Sequence, residues 1–405
     1  MANMKFVNPY RPGAGHMPTY LAGREHEKNE FRRLLGQSTI MENLVITGLR
    51  GVGKTVLLES LKPIAIGMRW LWVGTDLSEA ATLSEINIVT RMLTDLAVVT
   101  SSVSVGPVTA PPRGFVSGGD TVKNTLNFQL LMAIYNHTAG LASDKLKAVL
   151  DVIAESLKSR DVRGIVFAYD EAQNMMDHSE KEQFPLSLML EVFQSIQRRG
   201  IPFVLVFTGL PTLLAKLIDA RTYSERMFHV LMLDRLDEDD SRAAIVKPID
   251  DAKCPVKFSD AGIQAIIASS GGYPYFIQFL GRELFDAYLQ NNGKGIPVSE
   301  AVRKLDSDFF MGRWGRVTDR QKQLLWAVAN LEHCDGEFTV QDVAEKSKDL
   351  LTKPFSPSHI TQMFNALGEA GLIYRNRYGK YSYAVPLLGQ FIMRQAEEDD
   401  KEWAE

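Results

Sequence analysis

Gly48-Leu49-Arg50-Gly51-Val52-Gly53-Lys54-Thr55 follows the apolar run Asn43-Leu44-Val45-Ile46-Thr47 and leads into the helical pattern Val56-Leu57-Leu58-Glu59-Ser60-Leu61. The order is strand, GxxxxGK[ST] loop, helix, as a phosphate-binding loop requires. Glycines let backbone N–H groups wrap a phosphate, and the helix N-terminus adds partial positive charge. On this reading Gly48, Arg50, Gly51, Val52, Gly53 and Val56 line a nucleotide cradle. Lys54 reaches the β- and γ-phosphates, and the Thr55 hydroxyl ligates Mg2+. A ligand-free strand-to-helix turn is the alternative. It is disfavoured because strand, loop and helix agree and an acidic partner motif lies downstream. The stretch predicts a chain that binds a nucleoside triphosphate with Mg2+.

The partner motif is Ile165-Val166-Phe167-Ala168-Tyr169-Asp170-Glu171, an apolar strand ending in two carboxylates. Asp170 is expected to hold Mg2+ directly or through water, and Glu171 to polarise the attacking water. Alone, such an end reads as an ordinary acidic turn; about a hundred residues after a phosphate loop it reads as catalytic. Gln173 either senses the γ-phosphate or caps the following helix. A further strand, Pro202-Phe203-Val204-Leu205-Val206-Phe207, ends at Thr208. Ligands of parallel sheets sit at the carboxyl ends of strands, which places Thr208 near the γ-phosphate; helix capping before Pro211 is the alternative. Arg226, ahead of Arg221, is the candidate to reach the γ-phosphate of a neighbouring subunit, against a reading of both as surface salt bridges.

The 405 residues suffice for two or three domains with a sizeable core. At 45% hydrophobic, 23% charged and net charge −4, no global basic field announces nucleic acid. Only 2 cysteines, far apart, make a disulfide framework or cysteine metal site unexpected and fit a cytoplasmic protein. No signal-peptide pattern or apolar span long enough to cross a bilayer is read, so no membrane partner is expected. Strands and helices alternate from residue 43, giving an α/β class with a parallel P-loop sheet. A Ser/Gly/Pro/Val insert, 101–125, reads as a flexible loop or a β-ribbon. Residues 237–311 read as helices throughout, an all-helical lid. From 318 three short helices and a basic hairpin form a winged-helix pattern. The expected division is 1–40 as an N-terminal segment, 41–235 as the core, 236–311 as the lid, 318–396 as the winged helix and 397–405 as an acidic tail.

Gly272-Tyr273-Pro274 opens a lid helix. Tyr273 and Pro274 suit contact with a base or ribose, and equally suit simple helix initiation. In helix 357–370, Ile360, Phe364 and Leu367 are expected to face the core. His359 and Gln362 then offer polar contacts to DNA, and Arg375, Arg377 and Lys380 on the wing offer phosphate contacts. Winged helices also bind proteins, so a protein partner stays open.

Together these motifs resemble the AAA+ ATPases related to origin-recognition initiators and to the signal-transducing (STAND) NTPases. Gly23-Arg24-Glu25 looks like the element that precedes their core, which implies that Gly23 and Arg24 help hold the adenine. Gly48–Thr55 and Asp170-Glu171 match the two Walker motifs. Gly272-Tyr273-Pro274 looks like the GxP element, with Tyr275 where related proteins place a sensor arginine. The stretch from Asn8-Pro9-Tyr10 to Gly23-Arg24-Glu25, the phosphate loop and Gly271–Phe276 also resemble a widespread group of bacterial ATP-binding proteins of similar length. The resemblance covers nearly the whole chain. It implies a slow ATPase acting as a nucleotide-dependent switch, with ATP or ADP as ligand, double-stranded DNA or a protein effector as partner, and nucleotide-dependent homo-oligomers. A slow-turnover scaffold in signalling or defence, recruiting a separate effector, is the alternative.

Overall fold

The computed structural model describes residues 7–101, 104–105, 124–254, 256–291, 293–377 and 379–398. Nine strands are described: β1 Asn43–Gly48, β2 Trp70–Val73, β3 Ser104–Val105, β4 Asn124–Thr125, β5 Gly164–Tyr169, β6 Phe203–Gly209, β7 Phe228–Leu233, β8 Ile373–Arg377 and β9 Lys380–Tyr383. The chain divides into two compact units. One holds 25–47 and 57–232; the other holds the N-terminal residues through 24, 48–56 and 233 onward.

The first unit is built on a five-stranded sheet in the order β2-β5-β6-β1-β7. The pairs β2/β5, β5/β6 and β6/β1 are parallel, with Tyr169 opposite Phe207 and Thr47 opposite Gly209. Every residue of β1, β5 and β6 is buried. Their sequences are accordingly unbroken apolar runs, as in sheets covered on both faces. Helices Glu85–Thr100, Ala142–Leu157 and Pro185–Arg198 supply the covering side chains, among them Ile88, Leu93, Leu150, Ile153, Phe193 and Ile196. Phe167 meets Phe193 edge to face at 5.0 Å. At the sheet edge β7 alternates, leaving Val230 and Met232 exposed.

One polar network is buried at the start of β1. Asn43 Oδ1 accepts from Leu205 N at 2.8 Å and from Gln197 Nε2 at 2.7 Å, and Gln197 Nε2 also donates to Phe203 O. The main-chain N–H of Asn43 donates to Met227 O, so one asparagine joins β1 to β6 and to the approach to β7. Asn43→Ala strands the Leu205 N–H and half of the Gln197 amide. A loss of about 2–3 kcal/mol is expected, read from urea unfolding midpoints at unchanged m-value.

The 101–125 insert is described only at its ends, where β3 and β4 pair antiparallel, Ser104 opposite Thr125; residues 106–123 lie outside the described residues. The following helix, Phe128–His137, is not foreseen by the sequence pattern.

The second unit contains the lid helices Glu238–Asp251, Asp260–Ser270, Pro274–Gln290 and Val298–Leu305. The helix expected to continue to 310 instead passes into a π-helical turn, Asp306–Phe310, and then a single turn, Met311–Trp314. Helices Asp319–Ala329, Val340–Leu350 and Pro357–Glu369 and the β8/β9 hairpin follow in winged-helix order. A fourth helix, Leu388–Glu398, comes after the hairpin. The sequence pattern does not foresee it, and it is what fastens this region to the lid. Phe391 stacks on Phe310 at 4.9 Å and meets Trp314 edge to face at 5.7 Å. Arg394 grips the buried Asp306 through two bonds of 2.7 and 2.6 Å. Lid and C-terminal helices therefore share one continuous apolar core. Tail residues 399–405 lie outside the described residues. Among the described residues no helix is long and apolar enough to cross a membrane.

Candidate nucleotide site

The phosphate loop leaves β1 at Gly48 and enters the helix Lys54–Gly67. Gly51 and Gly53 have φ of +80° and +91°, in the left-handed region that favours glycine. At Gly51 there is a second reason for glycine: an added Cβ would lie 3.2 Å from Tyr275 Cβ. Lys54 Nζ donates to Gly48 O at 3.0 Å and Leu49 O at 2.8 Å, so the ammonium is held over its own loop. Val52 is buried, Arg50 is exposed, and Thr55 and Val56 begin the helix.

Two anchors, Arg24 and Tyr275, fix this loop within its unit. Arg24, 6% exposed, donates from Nη2 to Val52 O at 3.1 Å and to Asp234 O at 2.8 Å. Gly23 sits at φ +62°, where a Cβ would strike the Asp240 carboxylate at 2.4 Å. Tyr275 N donates to Gly51 O at 3.1 Å. Tyr273 caps the helix that starts at Pro274, with no side-chain capping bond. Arg24 and Tyr275 are thus bonded to the phosphate loop, and Gly23, Tyr273 and Pro274 lie in the same compact unit.

In the sheet unit, Asp170, Glu171, Gln173 and Thr208 gather at the carboxyl ends of β5 and β6. Asp170 is buried, and its Oδ1 accepts from Glu171 N at 2.8 Å. Glu171 is exposed and has φ +52°, a left-handed conformation costly for a non-glycine residue and concentrated at functional sites. Its Oε2 accepts a short bond from Gln173 Nε2. Gln173 Oε1 in turn accepts from Leu210 N at 3.0 Å, so this side chain ties the end of β5 to the end of β6. Thr208 is fully buried, with Oγ1 unpartnered among the described residues, and the helix Thr212–Ala220 is capped by Pro211 instead. The Thr47 hydroxyl, one position along the adjacent strand, is buried and unpartnered in the same way. Two orphaned hydroxyls at the carboxyl ends of neighbouring central strands are unusual in a finished core.

Lys216 is a residue that the motif reading misses. Its Nζ donates to Gln173 O at 2.5 Å, and burial pushes its pKa down. Arg226 is exposed, with no ion pair among the described residues, whereas Arg221 lies within electrostatic reach of Glu191 and Tyr223.

On helix Pro357–Glu369, Ile360, Met363, Phe364 and Leu367 are buried, while His359 and Gln362 are exposed. Arg375 is exposed on β8, and Arg377 stands opposite Lys380 across the hairpin. The same region has a cleft of about 410 Å³ lined by Glu332, Glu337, Asp342, Glu345 and Asp349 together with His333 and Lys346.

Residues 307–392 match a family described as a domain of unknown function (DUF8462). No curated protein matches the sequence significantly. A Walker-type ATPase of Pyrococcus abyssi superposes with a TM-score of 0.57 at 15% identity, over 92% of this chain and 96% of its own. The ORC2 protein of Aeropyrum pernix in its ADPNP–ADP complexes superposes with a TM-score of 0.52 at 12% identity, over 96% of this chain and 98% of its own. At these identities the likeness is one of fold.

Proposed function

We propose that this chain, which has the fold of the origin-recognition-like AAA+ ATPases, is an ATP-dependent switch with slow hydrolysis. The observation that carries the reading is the phosphate loop itself: left-handed glycines, a helix N-terminus and a lysine already folded back over the loop. On binding, Lys54 exchanges two carbonyl partners for charged phosphate oxygens, which make stronger bonds. The backbone N–H groups of Gly51 to Thr55 and the helix N-terminus hold the same charge. Thr55 and Asp170 have the hard oxygen donors Mg2+ prefers and would be its protein ligands. Bound Mg2+ would offset the charge of the terminal phosphates. Glu171 orients water for attack, Thr208 donates its unused hydroxyl, and an exposed Arg226 serves the site of a second copy.

Movement at the loop passes to the C-terminal region through Gly51, Tyr275 and the aromatic side chains that link the lid to Phe391. In this reading residues 236–311 act as the lid and 318–396 as the effector module. His359, Gln362, Arg375, Arg377 and Lys380 touch duplex DNA. The acidic cleft favours a second reading: a nucleotide-gated scaffold, for signalling or defence, whose partner is a basic protein segment.

DNA titrations at several salt concentrations separate the two. The first reading expects log affinity to fall linearly with log salt. Arg375→Ala and Lys380→Ala each remove one cation from the DNA backbone, so each is expected to make that slope shallower by about 0.9. ATP-dependent assembly without salt-sensitive DNA affinity sinks the DNA reading and leaves the scaffold.

A further inference from the structure

Beside the phosphate loop, a guanidinium group from beyond the lid helices is tied to the loop through two aromatic residues. Arg50 is the exposed third residue of the loop. Arg313 comes from the single turn that follows the lid helices. One neighbour, Phe309, sets its position through two contacts. Arg313 Nη1 donates to Phe309 O at 2.9 Å, and its guanidinium carbon lies 5.0 Å from the centre of the Phe309 ring. Phe309 packs on Tyr275 at 5.2 Å, and Tyr275 N is bonded to Gly51 O, the residue next to Arg50. Burial and the neighbouring charge of Arg50 both push the Arg313 pKa down. Neither arginine forms an ion pair among the described residues.

A half-buried cation is unfavourable unless an anion completes the group. The loop supplies that anion on the nucleotide reading. We propose that Arg313, with Arg50, is the binding group that reads the terminal phosphate of the nucleoside triphosphate. It provides from beyond the lid the cation that the Tyr275 position lacks. This role rests on the ATP reading and adds a residue that no motif marks.

The placement also gives the reading a route outward. Trp314 follows Arg313 in the chain and is buried against Phe391 of the last helix. A phosphate held by Arg313 therefore pulls on the same turn that carries the C-terminal helices. Loss of that phosphate on hydrolysis releases it.

The test compares binding of ADP and of a non-hydrolysable ATP analogue by the full chain, with Mg2+, in wild type, Arg313→Ala, Arg313→Lys and Arg316→Ala. In Arg313→Ala the triphosphate affinity is expected to fall about tenfold while ADP affinity stays within about twofold, as one charged hydrogen bond to the last phosphate requires. Unchanged ADP binding also certifies the fold. Arg313→Lys is expected to recover part of the preference, and Arg316→Ala to keep all of it. A wild-type preference retained in Arg313→Ala, or lost equally in Arg316→Ala, overturns the role of Arg313 alone. A wild type that binds neither nucleotide overturns the ATP reading itself.

Discussion

Lys54→Ala is expected to weaken ATP binding at least 100-fold, to the point where titration calorimetry at tens of micromolar protein records no heat. The lysine is the one side chain of the loop whose ammonium is pre-placed, 3.0 and 2.8 Å from the carbonyls of Gly48 and Leu49. Two charge-assisted bonds to phosphate, at about 1.5–3 kcal/mol each, account for a change of that size. The substitution should leave the fold intact, because Lys54 stands at the first position of its helix and is only partly buried. A circular dichroism melt within a few degrees of wild type checks this. Retained ATP affinity in a folded Lys54→Ala chain would remove the loop from its assigned role.

The second large effect concerns Glu171. Glu171→Gln is expected to keep nucleotide affinity within about twofold and to lower kcat by about 10²- to 10⁴-fold, the range for losing a positioned base. The isosteric amide preserves side-chain shape and the unusual backbone, so the effect separates chemistry from structure. The Gln173 side chain supports the assignment, since it holds Glu171 with one end and Leu210 N with the other. Single-turnover hydrolysis alongside nucleotide titration distinguishes the cases. Wild-type turnover in Glu171→Gln excludes the residue as the base, whereas a fall in affinity would mean that it binds nucleotide instead.

The parts of this molecule legible in the sequence are those governed by local pattern. β1, β5 and β6 are buried on every residue, so they read as apolar runs, and the loop after β1 declares its backbone through glycine spacing. The apolar stripe of helix Pro357–Glu369 follows the helical period and is readable for the same reason. What escapes the sequence depends on partners distant along the chain. The turn at Asp306–Phe310 departs from a regular helix where Asp306 is held by Arg394, 88 residues later. The final helix begins just after Leu387, itself at φ +61°, and runs into an acidic stretch that reads as solvated tail. Arg313 carries no motif: its significance comes from Phe309, Tyr275 and Gly51 meeting in space. For Gln173 the local pattern offers phosphate sensing or helix capping; in the structure it links two strand ends.

The central claim is that ATP binding and slow hydrolysis set the state of this chain. Its most direct test is nucleotide binding and single-turnover hydrolysis of Mg-ATP by the purified wild-type protein, followed across protein concentration with and without duplex DNA. Mg2+-dependent binding is expected, with slow phosphate release whose rate per chain rises with concentration as Arg226 of one copy meets the site of another. Failure of the folded protein to bind ATP at millimolar concentration would contradict the claim at its foundation.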